Sequence, residues 1–290
     1  MSAKILSFGE ILWDIYPNEK HLGGASLNFA AHLAKFGHRV DMLSALGADS
    51  LGEEARAQLR DWNLGDRFVP ALAGRETGAC LVTLDENSIP SYNLLKDVAY
   101  DCISCEGIRE DFDLLYFGTL ALRSEYNFAS LTELLKQKSF GEIFVDMNIR
   151  PPFYSEKTVR FAVSRATVLK ISDEELPTVA RLLGTKETEP RAFAAHLAKA
   201  FSNLRCIIIT LGGEGAYALS CEDEKGAFCP AKKVSVKSTV GAGDSFGAAF
   251  VSEYLSGKDL LSCLQTASAV AGFVVSQTAA VPDYKPADLL

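Results

Sequence analysis

Ser238-Thr-Val-Gly-Ala-Gly-Asp-Ser-Phe-Gly247 joins a glycine turn, an acid and a stretch of small residues typical of a packed helix. Gly241 and Gly243 let the backbone turn tightly, so that the free N–H groups at the helix start face outward as an anion-binding nest. Asp244 in the mouth of that nest is out of place for binding phosphate alone, because its carboxylate repels the anion. It fits a site where an acid takes the proton of a hydroxyl attacking phosphorus, beside N–H groups that stabilise the transferring phosphoryl group. The helix N-terminus is expected to lower the pKa of Asp244, leaving a weak base suited to a loose transition state. Two other readings stay open on these residues alone. The spacing Gly241-x-Gly243-x-x-x-Gly247 approaches a dinucleotide fingerprint, although that belongs after a first strand with its third glycine one place earlier. An acid capping a helix after a glycine turn is the other.

Four further segments carry polar groups at the ends of apolar runs. Leu22-Gly-Gly-Ala-Ser-Leu-Asn28 offers close backbone approach at Gly23 and Gly24, and Asn28 supplies both a donor and an acceptor, or else a helix cap. Asp14, after the first apolar run, could accept hydrogen bonds from vicinal hydroxyls or sit as a solvated loop acid. Asp146-Met-Asn-Ile-Arg-Pro-Pro152 follows a buried strand at the end where open α/β sheets bind ligands, and Arg150 could neutralise phosphate or pair with a carboxylate. Lys170-Ile-Ser-Asp-Glu-Glu175 places acids at a helix start, as the macrodipole favours. Ile209-Thr-Leu-Gly-Gly-Glu-Gly215 ends a strand in a glycine turn that could lie against a nucleotide. Other patterns fail on inspection. Gly47-Ala-Asp-Ser-Leu-Gly52 has P-loop glycine spacing but Glu53 where Lys is required, and Cys102-Ile-Ser-Cys105 lacks a second ligand pair for zinc.

The elements that must hold these groups alternate along the chain. Ile5–Phe8, Val40–Leu46, Leu114–Thr119, Ile143–Met147, Val168–Ile171 and Cys206–Leu211 read as strands. Leu27–Lys35, Glu53–Trp62, Tyr126–Lys136, Glu174–Leu183, Ala192–Phe201, Phe246–Leu255 and Leu260–Val275 read as helices. Strand then helix, repeated, predicts a parallel sheet covered on both faces. Ile11–Tyr16 and Thr77–Leu95 break the rhythm as extra strands, so residues 11–18 and 76–96 are expected to form a small lid. No linker or repeat divides the chain, which predicts one domain over 1–290.

Composition narrows the classes. The chain has 290 residues and a formal charge of −8, with 29 Lys and Arg against 37 Asp and Glu. That balance argues against nucleic-acid binding, which needs clustered cations. No apolar run reaches the roughly 18 residues of a membrane span. Seven scattered cysteines without an export signal read as reduced thiols of a cytoplasmic protein.

Taken together, GGASLN near the start and TVGAGDSFGAAF near the end resemble the two signatures of the PfkB, or ribokinase-like, family of sugar and nucleoside kinases. The GE…D opening, DMNIRP and KISDEEL look most like its fructokinase branch. The resemblance implies a ribokinase-like three-layer αβα sandwich with a mostly parallel central sheet and a small β-sheet lid. It implies Asp244 as the catalytic base, with the N–H groups of Gly241, Ala242 and Gly243 as the anion hole. Asp14, Gly23, Gly24 and Asn28 would hold sugar hydroxyls, with Asn148 and Arg150 near the sugar and the transferring phosphate. Ser172, Thr210, Gly212, Gly215 and Ser268 would flank ATP, and Glu175 would organise Mg²⁺ through water. The lid would cover the sugar, in a monomer or in a homodimer formed through it. Fructose leads as the substrate, ahead of ribose, 2-keto-3-deoxygluconate and nucleosides, and a kinase-like binder without turnover is the alternative of another class. Three positions depart from the pattern. Ser238 replaces an acid that helps many relatives bind a monovalent cation, and Gln277-Thr-Ala-Ala280 lacks their glycine, so the resemblance leaves K⁺ activation open. Ser26 stands where fructokinases often have Pro.

Overall fold

A computed structural model of the chain describes residues 2–84 and 90–289. The first half runs β1 (Lys4–Phe8), β2 (Leu12–Ile15), β3 (Lys20–Gly23), α1 (Ala25–Lys35), β4 (Arg39–Leu43), β5 (Leu46–Gly47), α2 (Ser50–Asp61), β6 (Gly65–Phe68), β7 (Ala71–Leu72), β8 (Gly78–Leu84) and β9 (Pro90–Leu94). The second half adds β10 (Leu114–Gly118), α3 (Glu125–Gln137), β11 (Glu142–Asp146), α4 (Glu156–Arg165), β12 (Val168–Ser172), α5 (Leu176–Leu183), α6 (Pro190–Ala200), β13 (Cys206–Thr210), β14 (Gly215–Ser220), β15 (Gly226–Pro230), α7 (Ala242–Leu255) and α8 (Leu260–Val275).

Among the described residues nine strands form the main sheet, in the order β15-β14-β13-β12-β11-β10-β1-β4-β6. The seven from β13 to β6 run parallel, while β14 and β15 turn back antiparallel along one edge. Alternate side chains of each strand enter opposite cores. Ile5, Met42, Tyr116 and Phe144 pack under α1, α2, α7 and α8. Leu6, Leu43, Phe117 and Val145 pack under α3, α4, α5 and α6. The result is helix on sheet on helix, as the alternation of the sequence predicts. Because the inner strands are parallel, their C-terminal ends share one edge, and the loops after Phe8, Asp146, Ser172 and Thr210 gather there.

A second sheet stands apart, in the order β3-β2-β8-β9. Its β2 and β8 pair in parallel, with Asp14 opposite Cys80 and Leu12 opposite Gly78. Leu12, Cys80 and Val82 join Val98 and Tyr100 in a small core of their own. Gly78 has no room for a side chain, since a Cβ there would meet the Tyr100 ring at 2.5 Å. The chain leaving this sheet is anchored by Arg123, which makes two 2.8 Å hydrogen bonds to Asp101 and one to the Leu95 carbonyl. Residues 85–89, where a polar turn is expected between the two lid strands, lie outside the described residues.

Several elements differ from the sequence reading. Lys20–Gly23 adds a fourth strand to the small sheet, beyond the expected residues 11–18. Strands β14 and β15 and helix α4 were not expected either. Helix α1 begins at Ala25, with Gly24 as its N-cap at φ 113°, so Asn28 lies inside the helix and is not its cap.

Candidate active site

Two helix starts and three strand ends converge at this edge. The first helix start is fixed by Glu10, which is buried between β1 and β2. Its Oε1 accepts the Ala25 N–H at 2.8 Å, and its carbonyl accepts the Ser26 hydroxyl at 2.7 Å. A Cβ on Gly24 would meet the Glu10 carbonyl oxygen at 2.5 Å, so the turn requires glycine. Ser26 thereby helps fix the turn, at the position where the chain departs from the pattern of the resemblance.

Gly23 leaves a gap that Asp14 and Asn28 line. A Cβ there would lie 3.2 Å from Asp14 Oδ2 and 4.0 Å from Asn28 Oδ1. Asn28 is buried, and its Oδ1 has no hydrogen-bond partner. Its amide donates from Nδ2 to Asp244 Oδ2 at 2.8 Å, which links the Gly23 cradle to the second helix start. Burial pushes the Asp14 carboxyl up from its ordinary pKa, against the opposing pull of His21, Arg150 and the Cys80 thiol.

The second helix start is α7. Gly241 is its N-cap at φ 79°, and a Cβ there would meet the Ala280 carbonyl oxygen at 2.6 Å. Ala242 and Gly243 open the helix, leaving their N–H groups for an anion. Asp244 follows in the first turn. The sequence reading expects the helix to lower its pKa, and the structure reverses this. Burial foremost and then the Asp146 carboxylate push Asp244 up to about 7, while Asn28, Lys170 and Arg150 pull the other way. Desolvation and a like charge outweigh the dipole here.

Beneath the nest lies a buried ion pair, Lys170 Nζ to Asp146 Oδ2 at 2.8 Å. Both residues come from inner strands and are almost fully buried, at 4% and 2% exposure. The far side of Lys170 closes on α7, because a Cβ on Gly243 would lie 3.2 Å from Nζ. Neither residue was assigned a role by the sequence reading. The available signal was a lysine inside the apolar strand Val168–Ser172, where only a paired charge is tolerated.

Glu175 completes the group. Its Oε1 accepts from Ile149 N and its Oε2 from Ser172 N, which ties the loops after β11 and β12 together. Burial and the Asp146 charge push its carboxyl up. Each oxygen keeps a lone pair for further contact. Asn148 sits at φ 39° in the same loop, and Arg150 extends from it into solvent. The Arg150 charge reaches Glu10, Asp14 and Asp244. The structure thus brings Asp14, Gly23, Gly24, Asn28, Asn148, Arg150, Glu175 and the Gly241–Asp244 turn to one place.

The residues expected to flank a nucleotide are placed less tightly. Ser172 and Thr210 stand opposite each other at neighbouring strand ends. Gly212 has open space around its Cα at φ 51°, as a surface for a planar ligand needs. Gly215 has a different reason to be glycine: a Cβ there would meet the Cys229 carbonyl of β15 at 2.2 Å. Ser268 is half-buried on α8, and among the described residues no hydrogen bond joins it to the nest. Cys102 and Cys105 belong to no cluster of three metal-binding side chains among the described residues.

This geometry has counterparts. The model of the pfkB family carbohydrate kinases matches residues 4–287, and the chain belongs to that family. It is therefore a phosphotransferase with a carbohydrate acceptor, and its architecture is the ribokinase-like fold. It is 29% identical over 273 residues to a 5-dehydro-2-deoxygluconokinase of Listeria monocytogenes, covering 89% of this chain and 82% of that one. A fructokinase of Rhizobium leguminosarum bv. trifolii is 27% identical over 292 residues, covering 91% and 83%. An uncharacterized sugar kinase of Pyrococcus horikoshii, solved in complex with ATP, superposes with a TM-score of 0.83 at 26% identity, covering 98% of this chain and 96% of that one.

Proposed function

We propose that the protein transfers the γ-phosphoryl group of MgATP to a primary hydroxyl of a small sugar, with fructose the leading acceptor. The observation that carries this reading is the hydrogen bond from Asn28 to Asp244. It joins the Gly23 cradle to the base at the mouth of the α7 nest. In this reading Asp14 and Asn28 hold sugar hydroxyls so that the attacking oxygen faces Asp244. Asp244 takes its proton as the bond to phosphorus forms, and the N–H groups of Gly241, Ala242 and Gly243 receive the charge on the transferring group. The β3-β2-β8-β9 sheet acts as a lid that excludes water and so suppresses hydrolysis of ATP. Gly212 and Ser268 border the nucleotide.

The site suits a divalent cation. Glu175 keeps a spare lone pair on each oxygen after accepting from Ile149 N and Ser172 N, and among the described residues no group of three Asp, Glu, His or Cys side chains is placed to ligate a metal directly, so the cation is assigned to Glu175 through water. Mg²⁺, when bound there through water, neutralises phosphate charge. We assign it to Glu175 and assign no requirement for K⁺, since Ser238 is neutral where relatives carry an acid.

A second acceptor class has its own support. The Listeria relatives are named for a sugar acid, and among the described residues Arg150 has no ion-pair partner, so it could meet a carboxylate. A coupled ADP-release assay over fructose, ribose, nucleosides and keto-deoxy sugar acids tests the reading. Turnover with fructose is expected, turnover only with an acid would replace the acceptor, and no sugar-dependent turnover would sink the kinase reading.

A further inference from the structure

His32 is a titratable side chain that the proposed reaction does not use, and it is fully buried on α1. Its ring reaches across to the chain that follows α8. Nε2 lies 3.0 Å from the Ala280 carbonyl oxygen, and Nδ1 lies 2.7 Å from the Tyr284 hydroxyl. These partners decide where the proton sits. A carbonyl oxygen only accepts, so Nε2 carries the hydrogen and donates it, and Nδ1 accepts from the Tyr284 O–H. Burial pushes the ring's pKa down to about 4, so it is neutral and has just this one donor and one acceptor.

Ala280 is the residue that backs the nest. A Cβ on Gly241 would meet its carbonyl oxygen at 2.6 Å and its Cα and Cβ at 2.9 Å. Ala280 is therefore packed directly against the glycine that caps α7. The placing of that cap decides where the N–H groups of the first helical turn point. One turn earlier on α1, Asn28 donates its amide to Asp244 at 2.8 Å. Asn28 and His32 are four residues apart and share one face of the helix. That face grips the nest twice, at Asp244 through Asn28 and at Gly241 through His32 and Ala280. Tyr284 steadies the second grip. Its ring packs on Phe273 of α8 with centroids 5.5 Å apart, and Lys35 Nζ lies 5.2 Å from it on the α1 side.

We propose that His32 is the positioning residue for the anion nest: its Nε2–H holds the Ala280 carbonyl against Gly241 and so keeps the N–H groups of Gly241, Ala242 and Gly243 aimed at the transferring phosphoryl group. The proposal rests on the kinase reading above. A polar side chain at position 32 would be needed merely to satisfy Ala280 and Tyr284, and the contact with Gly241 gives the imidazole a task beyond that.

Two substitutions divide the ring between its nitrogens. A Gln side chain brings an amide N–H near the place of Nε2 and keeps a donor for Ala280. An Asn side chain reaches only as far as Nδ1 and keeps an acceptor for Tyr284. Steady-state kinetics with the accepted sugar should show kcat lower by at least about tenfold in His32→Asn, with the sugar KM within about threefold. In His32→Gln kcat should stay within about threefold of wild type. A role confined to packing would lower the melting temperature of both variants and leave their kcat alike. Equal kcat in the two folded variants would therefore overturn the proposal. Should either variant not fold, imidazole ¹⁵N NMR of the wild-type protein reads the tautomer directly. The Nε2–H form is expected, and an Nδ1–H form overturns the proposal, because it leaves nothing to hold Ala280. Absence of sugar-dependent turnover by the wild-type protein would remove the kinase reading, and the role in phosphoryl transfer with it. The NMR result would still decide the bond from His32 to Ala280 on its own.

Discussion

Asn28 on α1 donates its amide to Oδ2 of Asp244 on α7 at 2.8 Å, across 216 residues of sequence. The bond occupies one oxygen of the base and leaves Oδ1 to face an incoming hydroxyl. It also fixes the distance between the Gly23 cradle and the nest. On the proposed reading, one side chain thereby serves both binding and proton transfer. Asn28→Ala should raise the sugar KM at least about tenfold and lower kcat, because both the cradle and the base lose their alignment. Steady-state kinetics with the accepted sugar checks this, and a KM unchanged in the variant would separate Asn28 from the acceptor.

Asp244 is where activity and stability oppose each other. Its carboxyl keeps a proton in the folded protein up to about pH 7, while in the unfolded chain it ionises near its ordinary value of 3.8. Between those values the folded state binds the extra proton, so this group's contribution to stability declines as pH rises and is at its least favourable above 7. Asp244→Asn should therefore melt at least about 2 °C higher than wild type at pH 8 and close to wild type near pH 4. The same variant should lose at least about 10² in kcat while its ATP affinity holds within about threefold. Calorimetry and nucleotide titration read the two halves independently.

The pH dependence of kcat/KM follows from the same carboxyl. Protonated Asp244 cannot accept the hydroxyl proton, so kcat/KM should fall about tenfold per unit below pH 7 and level off above it. Burial and Asp146 set this limb well above that of an ordinary carboxylate. Asp146→Asn removes the like charge and should move the limb to lower pH. A limb near pH 4 in the wild-type protein would contradict the buried setting of the base.

Much of this arrangement is legible in the sequence, because its strongest signals are local. Gly241 and Gly243 before a small-residue helix announce the nest, and each apolar run from Ile5 to Cys206 became a parallel strand. What escaped depends on neighbours far along the chain. Strands β14 and β15 carry Gly, Ala and Ser, and they are strands because they pair along the edge beside β13. Asn28 reads as a cap until Glu10, fifteen residues before Ala25, is seen to hold the true helix start. The pKa of Asp244 went the other way from the helix-dipole argument because burial and Asp146 prevail, and neither is visible locally. Lys170 shows no partner within its own motif, since Asp146 and Gly243 are brought to it by the sheet and by α7.

Monovalent cations offer a test of one departure. Ser238 uses its hydroxyl oxygen to accept the Val240 N–H at 3.2 Å, and the Ala280 carbonyl beside the nest is engaged by His32 Nε2 at 3.0 Å. A neutral hydroxyl in place of an acid gives a monovalent cation little to hold. Turnover should therefore stay within about twofold when K⁺ is exchanged for tetramethylammonium at constant ionic strength. A tenfold rise with K⁺ would show that backbone carbonyls alone suffice.

The two glycine turns should separate under the same substitution. Gly23 has an ordinary backbone conformation, and a methyl group there would press on Asp14 Oδ2 at 3.2 Å and reach toward Asn28 at 4.0 Å. Gly23→Ala should thus fold and melt like wild type, within about 2 °C, while its sugar KM rises at least about tenfold and kcat changes little. Gly241 sits at φ 79° with the Ala280 carbonyl oxygen 2.6 Å from where the methyl would be, so the backbone itself must move. Gly241→Ala should cost about 1–3 kcal/mol of stability and lower kcat, because the N–H groups that define the nest shift with it. Melting curves and kinetics on both variants distinguish a glycine that makes room for the acceptor from one that shapes the anion site. A reversed pattern, with Gly23→Ala unstable and Gly241→Ala impaired only in KM, would exchange the roles of the two turns.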